Sequence, residues 1–472
     1  MTPKLNWKKH FDYVLHKATK SLNLLKVVSK QHWGQDTKMR IHLALSLSLV
    51  RSKLSYGQEA FFSAPRSYLQ KLLSLDSKAI KLALGVPVHT KTIEAYNMAG
   101  IVCLDQWRKL SCANYLVRSL AIDNHTREEL ILRSDVHFPR RSRKIASLQT
   151  VATYTHDLFH DSSINPADVS EKQLVSPIPL WEQETAEYDI DYIKHYKGDN
   201  PNVVGLEAHI HINDKYSNHL QIYTDGSVSE NGDTGAGFVI AALNITESFY
   251  LGKGHSIYTA ELTAILMALR KISELSYKFY NVVVCVDSKS VLQALQSKNI
   301  RNRSDLVLDI LHTVHSLIIN GTMIHFCWIP SHTGISNNEW ADKLAKHGAK
   351  AERKNRQHIN IPLSVQEMCY IIKRKTNITS KFNTNFHIHK GLPRSVVSLA
   401  YRLCLNSWKT KYCAVKCICD HPLSLEHILH DCVLLKQYLT EDHSKHTVQE
   451  LKFPAWLRIS QDLLYSPIGS LL

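Results

Sequence analysis

Between His219 and Lys350 the hydrophobic pattern follows two periods in turn, and few folds accommodate both in that order. LQIYTDGS, GAGFVIAAL and SFYLGK read as strands, the first running into a Gly-Ser turn. YTAELTAILMALRKISEL then reads as an apolar helix, and NVVVCVDS as a buried strand leading into the short helix SVLQALQS. SDLVLDILHTVHSLIIN reads as a helix, TMIHFCWIP as a strand and NNEWADKLAKHGAKAER as a closing helix. Three strands followed by helix-strand-helix alternation predict an α/β domain, a mixed five-stranded sheet with helices packed on its faces.

Four acids stand in that pattern where a plain surface role is costly. Asp225 ends the strand LQIYT, Asp287 ends VVVCV, Glu261 lies in the first turns of the apolar helix, and Asp342 sits on the closing helix beside Ala341 and Leu344. An acid at the tip of an apolar strand is unfavourable unless it binds a cation or accepts several hydrogen bonds. Two such tips in one sheet point to a shared metal. Mg²⁺ takes a few carboxylates together with substrate phosphate oxygens. Four convergent acids suit a pair of ions about 3.5–4 Å apart, the arrangement that hydrolyses phosphodiesters.

YTDGS (Tyr223 to Ser227), TAELTAILMAL (Thr259 to Leu269), VDSKSVLQAL (Val286 to Leu295) and WIPSHTGISNNEWADKLAK (Trp328 to Lys346) resemble, in order, the four blocks of type 1 ribonucleases H. The resemblance implies endonucleolytic cutting of the RNA strand of RNA/DNA hybrids. Asp225, Glu261, Asp287 and Asp342 take the places of the metal-binding acids, for two Mg²⁺ or Mn²⁺ ions. His332 takes the place of the mobile-loop histidine, fitting because an imidazole passes a proton near neutral pH as the 3′ oxygen leaves. Ser227 and Asn338 take the places of substrate contacts. Ile257-Tyr258 replaces the Asn pair common in the cellular enzymes, no basic protrusion is evident between Leu295 and Met323, and Asn337 replaces a Gly. Asn tolerates the left-handed backbone such a Gly would supply. These departures leave room for an inactive nucleic-acid-binding remnant, because metal ligands can outlast a substrate groove.

Farther on, Cys417-x-Cys419-x7-His427-x4-Cys432 offers three thiols and an imidazole, a Cys₃His set for structural Zn²⁺, although the first spacing is short. Cys413 is an alternative to Cys417, and His421, His430 and Cys404 are spare donors. Five of the ten Cys crowd between Cys404 and Cys432, which in a reducing compartment favours metal over cystine. CICDHPLSLEHILHDC resembles the zinc-binding segment that follows the nuclease in reverse transcriptases of non-LTR retrotransposons. LNWKKHFDYVLHKATKSLNLLKVVSK, LSYGQEAFFSAPRSYLQKLLSLDSKAIKLALGVP and MAGIVCLDQWRKL look like the region after the polymerase palm in those elements. No Asp-Asp dipeptide occurs in the chain, so the palm's metal-binding block is absent. A retrotransposon-derived fragment or truncated product without polymerase activity is the expectation, with the rest of the retroelement machinery as a partner.

The net charge of +15 is carried wholly by residues 1–144, with 25 Lys and Arg against 10 acids. Residues 145–214 hold 12 acids and 3 bases, and residues 350–416 hold 14 bases and 2 acids. Clustered bases suit binding of hybrid and other nucleic acid. The segments expected are a basic helical region (1–122), an acidic, loosely ordered linker (123–217), the nuclease domain (218–350), a basic helical connector (351–400) and a helical zinc-binding segment with its tail (401–472). The longest nearly apolar stretch, Ile41 to Val50, has ten residues, about half of a membrane span, so no membrane association is expected. The N-terminus lacks a secretory pattern. The chain is expected inside the cell, and RRSRK at 140–144 does not decide between nucleus and cytoplasm.

Overall fold

A computed structural model of the chain describes residues 8–29, 40–41, 49–62, 64–121, 151–161, 169, 178–193, 201–350, 357–376, 392–407, 416–439, 451 and 453–466. These fall into two compact units, one built mainly from residues 155–372 and the other from residues 1–115 with 373–472.

In the first unit the sheet is mixed, as expected, but has seven strands among the described residues: β1 (Glu187–Asp189), β2 (Leu220–Val228), β3 (Asp233–Ile240), β4 (Ile245–Lys253), β5 (Asn281–Val286), β6 (Met323–Trp328) and β7 (Gln357–His358). Their order is β1-β6-β5-β2-β3-β4-β7. The pairs β1/β6, β6/β5, β5/β2 and β4/β7 are parallel, and β2, β3 and β4 form an antiparallel meander. The five expected strands are the inner ones. The added edges have two and three residues, too few to print a period on the sequence.

Helices of this unit include α1 (Pro201–Lys215), α2 (Ile257–Glu274), α3 (Lys289–Gln296), α4 (Ser304–Ile319), α5 (Ser336–Gly348) and α6 (Val365–Lys375). Side-chain alternation divides the sheet between them. Ile222, Val282, Val284, Val286 and Phe326 join one core with Leu262, Ile265 and Leu269 of α2, Leu292 of α3 and Ile310 of α4. Tyr223, Val283, Cys285 and Cys327 point the other way and join Ala208 and Ile212 of α1, Tyr216 just after it and Ala341 of α5. β5 reads as an unbroken apolar run because both of its faces are covered.

Within residues 123–217, expected to be a loosely ordered linker, the described residues supply both β1 and α1, and for these the expectation is corrected. Ala208, Ile212 and Tyr216 form a stripe at four-residue spacing, which acidic composition and scattered prolines concealed. The turn expected at Gly226-Ser227 is also corrected, since β2 runs through it to Val228, with Gly226 opposite Ala236 and Ser227 opposite Gly235. Gly226 serves close packing instead. A Cβ there would lie 2.6 Å from the Glu261 backbone nitrogen and 2.7 Å from the Ala260 Cβ, so only glycine lets α2 settle onto β2.

The second unit is helical, with helices at Lys8–Val27, Arg66–Leu84, Thr92–Met98, Arg394–Cys404 and Phe453–Leu464 among others. Phe11, Leu25, Ile80 and Leu84 share one core with Tyr401, Cys417, Cys432, Trp456 and Leu463. The N-terminal helical region and the Cys/His segment, expected as separate domains, are therefore one folding unit. Its buried charge is compensated: Arg51 donates to both carboxylate oxygens of Asp76 at 3.0 and 2.6 Å, and Tyr96 donates to Asp76 Oδ2 at 2.6 Å. No helix among the described residues is long and apolar enough to cross a membrane.

Candidate active site

Three of the four acids come together. Asp225 on β2, Glu261 on α2 and Asp287 just after β5 each offer a carboxylate oxygen, and these atoms lie within 4.8 Å of one another. Asp225 and Glu261 are buried. Burial and the charges of Asp287 and Asp342 push the Asp225 carboxyl up to about 8. Burial, then Asp287 and Asp225, hold Glu261 well above the ordinary carboxylate range. Glu261 Oε2 is buried without a hydrogen-bond partner, an unfavourable state for a carboxylate.

Asp342 lies outside that mutually close set. Its carboxylate accepts from Lys346 Nζ at 2.6 Å, one helical turn on, while also hydrogen bonding to Asp225. It reaches the cluster from α5, on the sheet face that Asp225 shares with Tyr223. Gly235 and Gly237 on β3 allow this approach, since a Cβ at either would lie within 2.7 Å of the backbone of α5 or of the residue that follows it.

Asn338, expected as a substrate contact, is buried and donates its amide to Asp287 Oδ2 at 3.4 Å. It faces an acid rather than solvent. Burial raises the Asp287 carboxyl, while hydrogen bonds from Asn338 and Ser331 and the nearby charge of His332 act against that rise. His332 is exposed, on the loop between β6 and α5, with φ of 55°. Gly205 of α1 braces that loop, because a Cβ there would lie 2.2 Å from the Thr333 carbonyl oxygen. Ser227 is half-buried, two residues past Asp225. Asn337 lies within α5 and not in a left-handed turn. The left-handed positions of this loop are His332 and Gly334, and Asn337 hydrogen bonds to the Tyr223 hydroxyl.

Sequence reasoning missed a buried carboxylate behind α2. Glu367 Oε1 accepts from the Ser256 N–H at 2.6 Å, the Ser256 hydroxyl at 2.9 Å and the Thr259 hydroxyl at 2.6 Å. Its Oε2 accepts from the Ser364 N–H at 2.9 Å and hydroxyl at 3.0 Å, with Arg303 Nη1 at 3.4 Å and His255 Nδ1 at 3.5 Å. Burial alone would raise this carboxyl, but His255, Arg303 and the Ser256 N–H hold it well below its usual range. The available signal was the string SVQE, a capping box opening α6.

In the other unit the four expected donors also converge. Cys417, Cys419, His427 and Cys432 offer atoms within 4.8 Å of one another. Cys417 Sγ lies 3.5 Å from Cys432 Sγ, Cys419 Sγ lies 3.8 Å from Cys432 Sγ, and His427 Nε2 lies 3.1 Å from Cys419 Sγ. The short Cys-x-Cys spacing works because Lys416 and Pro422 bridge a hairpin, the Cys417 N–H donates to the His421 carbonyl, and Asp420 takes φ of 63°. A π-helical turn over His427–Asp431 sets His427 beside Cys432. The backbone at His421 draws the Cys419 thiol down to about 6, and burial pushes Cys417 up to about 11. Spare donor His421 accepts no place in the set; its ring nitrogen bonds the Cys419 carbonyl. Cys413 lies outside the described residues.

Both donor sets suit a cation of their own kind. The first is all oxygen and all acid, with one buried oxygen of Glu261 unpartnered, which matches a hard divalent ion. The second has sulfur separations of 3.5 and 3.8 Å, against the roughly 3.8 Å edge of a tetrahedron with Zn–S bonds of about 2.3 Å. Residues 217–350, which carry all four acids and His332, match the family model described as RNase H, and this part of the chain is accordingly a ribonuclease H domain, a hydrolase acting on nucleic acid.

Proposed function

We propose that this domain cuts the RNA strand of RNA/DNA hybrids endonucleolytically with two divalent ions, Mg²⁺ or Mn²⁺. The observation carrying this reading is the convergence of Asp225, Glu261 and Asp287 within 4.8 Å with an unpartnered buried oxygen on Glu261. Like-charged buried carboxylates destabilise one another unless a cation joins them. Asp225, Glu261 and Asp287 would hold metal, with Asp342 completing the set through its contact with Asp225. Bound there, the ions supply an activated water and charge stabilisation for the departing 3′ oxygen.

The remaining work falls to the chain's own groups. Asn338 orients Asp287 through its amide. His332, exposed on its loop, exchanges a proton with the leaving oxygen. Lys346 donates to Asp342 at 2.6 Å and so offsets the charge that Asp342 brings to the cluster. Ser227, two residues along β2 from Asp225, stands where a hybrid backbone would pass.

Cys417, Cys419, His427 and Cys432 would hold a structural zinc, since all four positions are filled by protein donors. The zinc segment and the N-terminal helices support a wider reading, that the protein derives from a non-LTR retrotransposon reverse transcriptase. Basic residues of that unit would add affinity for nucleic acid.

The test is cleavage of a labelled RNA/DNA hybrid in Mg²⁺, with Asp225→Asn as control and duplex RNA as competitor. Hybrid-specific cutting lost in the variant supports the reading. Hybrid binding without cutting by the wild type overturns it in favour of a binding remnant.

A further inference from the structure

We propose that Glu367, beyond the matched residues 217–350, is a positioning residue for Glu261, completing the N-terminal cap of α2 and fixing where the Glu261 carboxylate stands. The inference rests on the reading of Glu261 as a metal ligand.

The N-terminal cap of α2 is incomplete within its own helix. Ser256 is the N-cap of α2, and its hydroxyl accepts from the Thr259 N–H at 3.3 Å. In a capping box the third helical residue is Glu or Gln and reaches back to the N–H of the cap. Here that residue is Thr259, whose side chain is too short. Glu367 supplies the missing acceptor from α6, taking the Ser256 N–H at 2.6 Å and the Thr259 hydroxyl at 2.6 Å.

The same carboxylate serves its own helix. Ser364 caps α6, accepting from the Glu367 N–H at 3.2 Å, while Glu367 Oε2 accepts from the Ser364 N–H at 2.9 Å. One buried carboxylate thus caps two helices at once, one oxygen each. Arg303 holds the junction from a third side, donating to Glu367 and, at 2.7 Å, to the Pro362 carbonyl. The chain entering α2 is pressed against α6 at Gly254, where a Cβ would lie 2.7 Å from Ile371 Cδ1.

Glu261 is held from two directions: the Gly226 backbone and Asp225 hydrogen bond its carboxylate, while this cap fixes the start of the helix that carries it. It follows Thr259 by two residues, and its Oε2 has no hydrogen-bond partner. Its position is set by the backbone of the first turns of α2, held by β2 at Gly226 and by Glu367 at the helix start. Groups that orient metal ligands from behind typically govern about 10–100-fold in metal affinity or activity.

The experiment uses the full chain, with Mg²⁺ binding measured by titration calorimetry beside hybrid cleavage. Glu367→Ala is expected to weaken Mg²⁺ binding and lower kcat by about ten-fold, with KM for the hybrid little changed. Glu367→Gln, which keeps an acceptor for Ser256 and Thr259, is expected to recover most of that loss. A folded Glu367→Ala protein with wild-type Mg²⁺ affinity and kcat overturns the proposal. If that variant fails to fold, Thr259→Val decides: it removes one donor to Oε1 and leaves the contacts with Arg303 and Ser364, so a several-fold loss of Mg²⁺ affinity supports the proposal and wild-type affinity overturns it. Glu261→Gln separates the two levels. If it binds Mg²⁺ like the wild type, the metal reading itself fails; if it loses binding while Glu367→Ala does not, only the role of Glu367 fails.

Discussion

The Thr259 hydroxyl donates to Glu367 Oε1 at 2.6 Å across 108 residues of sequence. This bond joins the helix carrying Glu261 to a segment outside the family match. Residues 357–376 add β7, complete a cap and bury a carboxylate that Arg303 and His255 keep ionised. The nuclease unit in this protein is thus larger than its matched core.

Because the Glu367 carboxyl is held below its ordinary value of 4.5, its contribution to stability has a definite sign. A depressed acid stabilises fully above its unfolded value and loses that contribution as the pH falls through the folded one. Thermal unfolding from pH 7 down to pH 3 is expected to show the wild type's advantage over Glu367→Gln shrinking below about pH 4.5. An advantage that stayed constant, or grew with acid, would mean that the carboxylate is not the charged cap.

The acid cluster is predicted to store repulsion in the metal-free protein. Asp287→Asn removes one charge without changing volume, so it should abolish hybrid cleavage while raising unfolding stability in EDTA, because it relieves the buried carboxylates that share the cluster. Mg²⁺ should stabilise the wild type more than the variant. Calorimetric unfolding with and without Mg²⁺ checks this, and a variant that melts lower in EDTA would contradict it.

Two glycines separate metal holding from turnover. Gly226→Ala drives a Cβ into the Glu261 backbone and should cost roughly 1–3 kcal/mol as overpacking, with Mg²⁺ affinity falling. Gly205→Ala presses on Thr333 beside His332 and should lower kcat while leaving Mg²⁺ affinity unchanged. Titration calorimetry and steady-state cleavage distinguish the two, and equal effects on both quantities would remove the distinction.

Protein purified under reducing conditions should contain one zinc per chain. Removing it, or substituting Cys432→Ser, should loosen the whole core that Cys417 and Cys432 share with Phe11, Leu25 and Tyr401, because binding free energy of such a site is folding free energy. Metal analysis with hydrogen exchange on residues 8–27 checks both parts. Zinc loss without faster exchange in that helix would show the two segments to be independent.

The sequence by itself determined the parts whose cause is local. Period-two and helical patterning placed the five inner strands and α2 to α5, and Asp225, Glu261 and Asp287 stood out because an acid amid apolar residues is costly wherever the chain goes. Cys417, Cys419, His427 and Cys432 were legible as a donor set for a similar reason, since short spacing alone brings them near one another. Only the tertiary structure decided the rest. It placed Asp342 outside the close trio, turned Asn338 toward Asp287, made Gly226 a packing residue rather than a turn, drew α1 and two short edge strands into the nuclease, and fused the chain's two ends around one core. It also brought Glu367 to Ser256, 111 residues away. Hydrogen bonds and close approaches over such separations leave no period in the sequence, because each depends on where two distant backbones meet and not on what lies beside either residue in the chain.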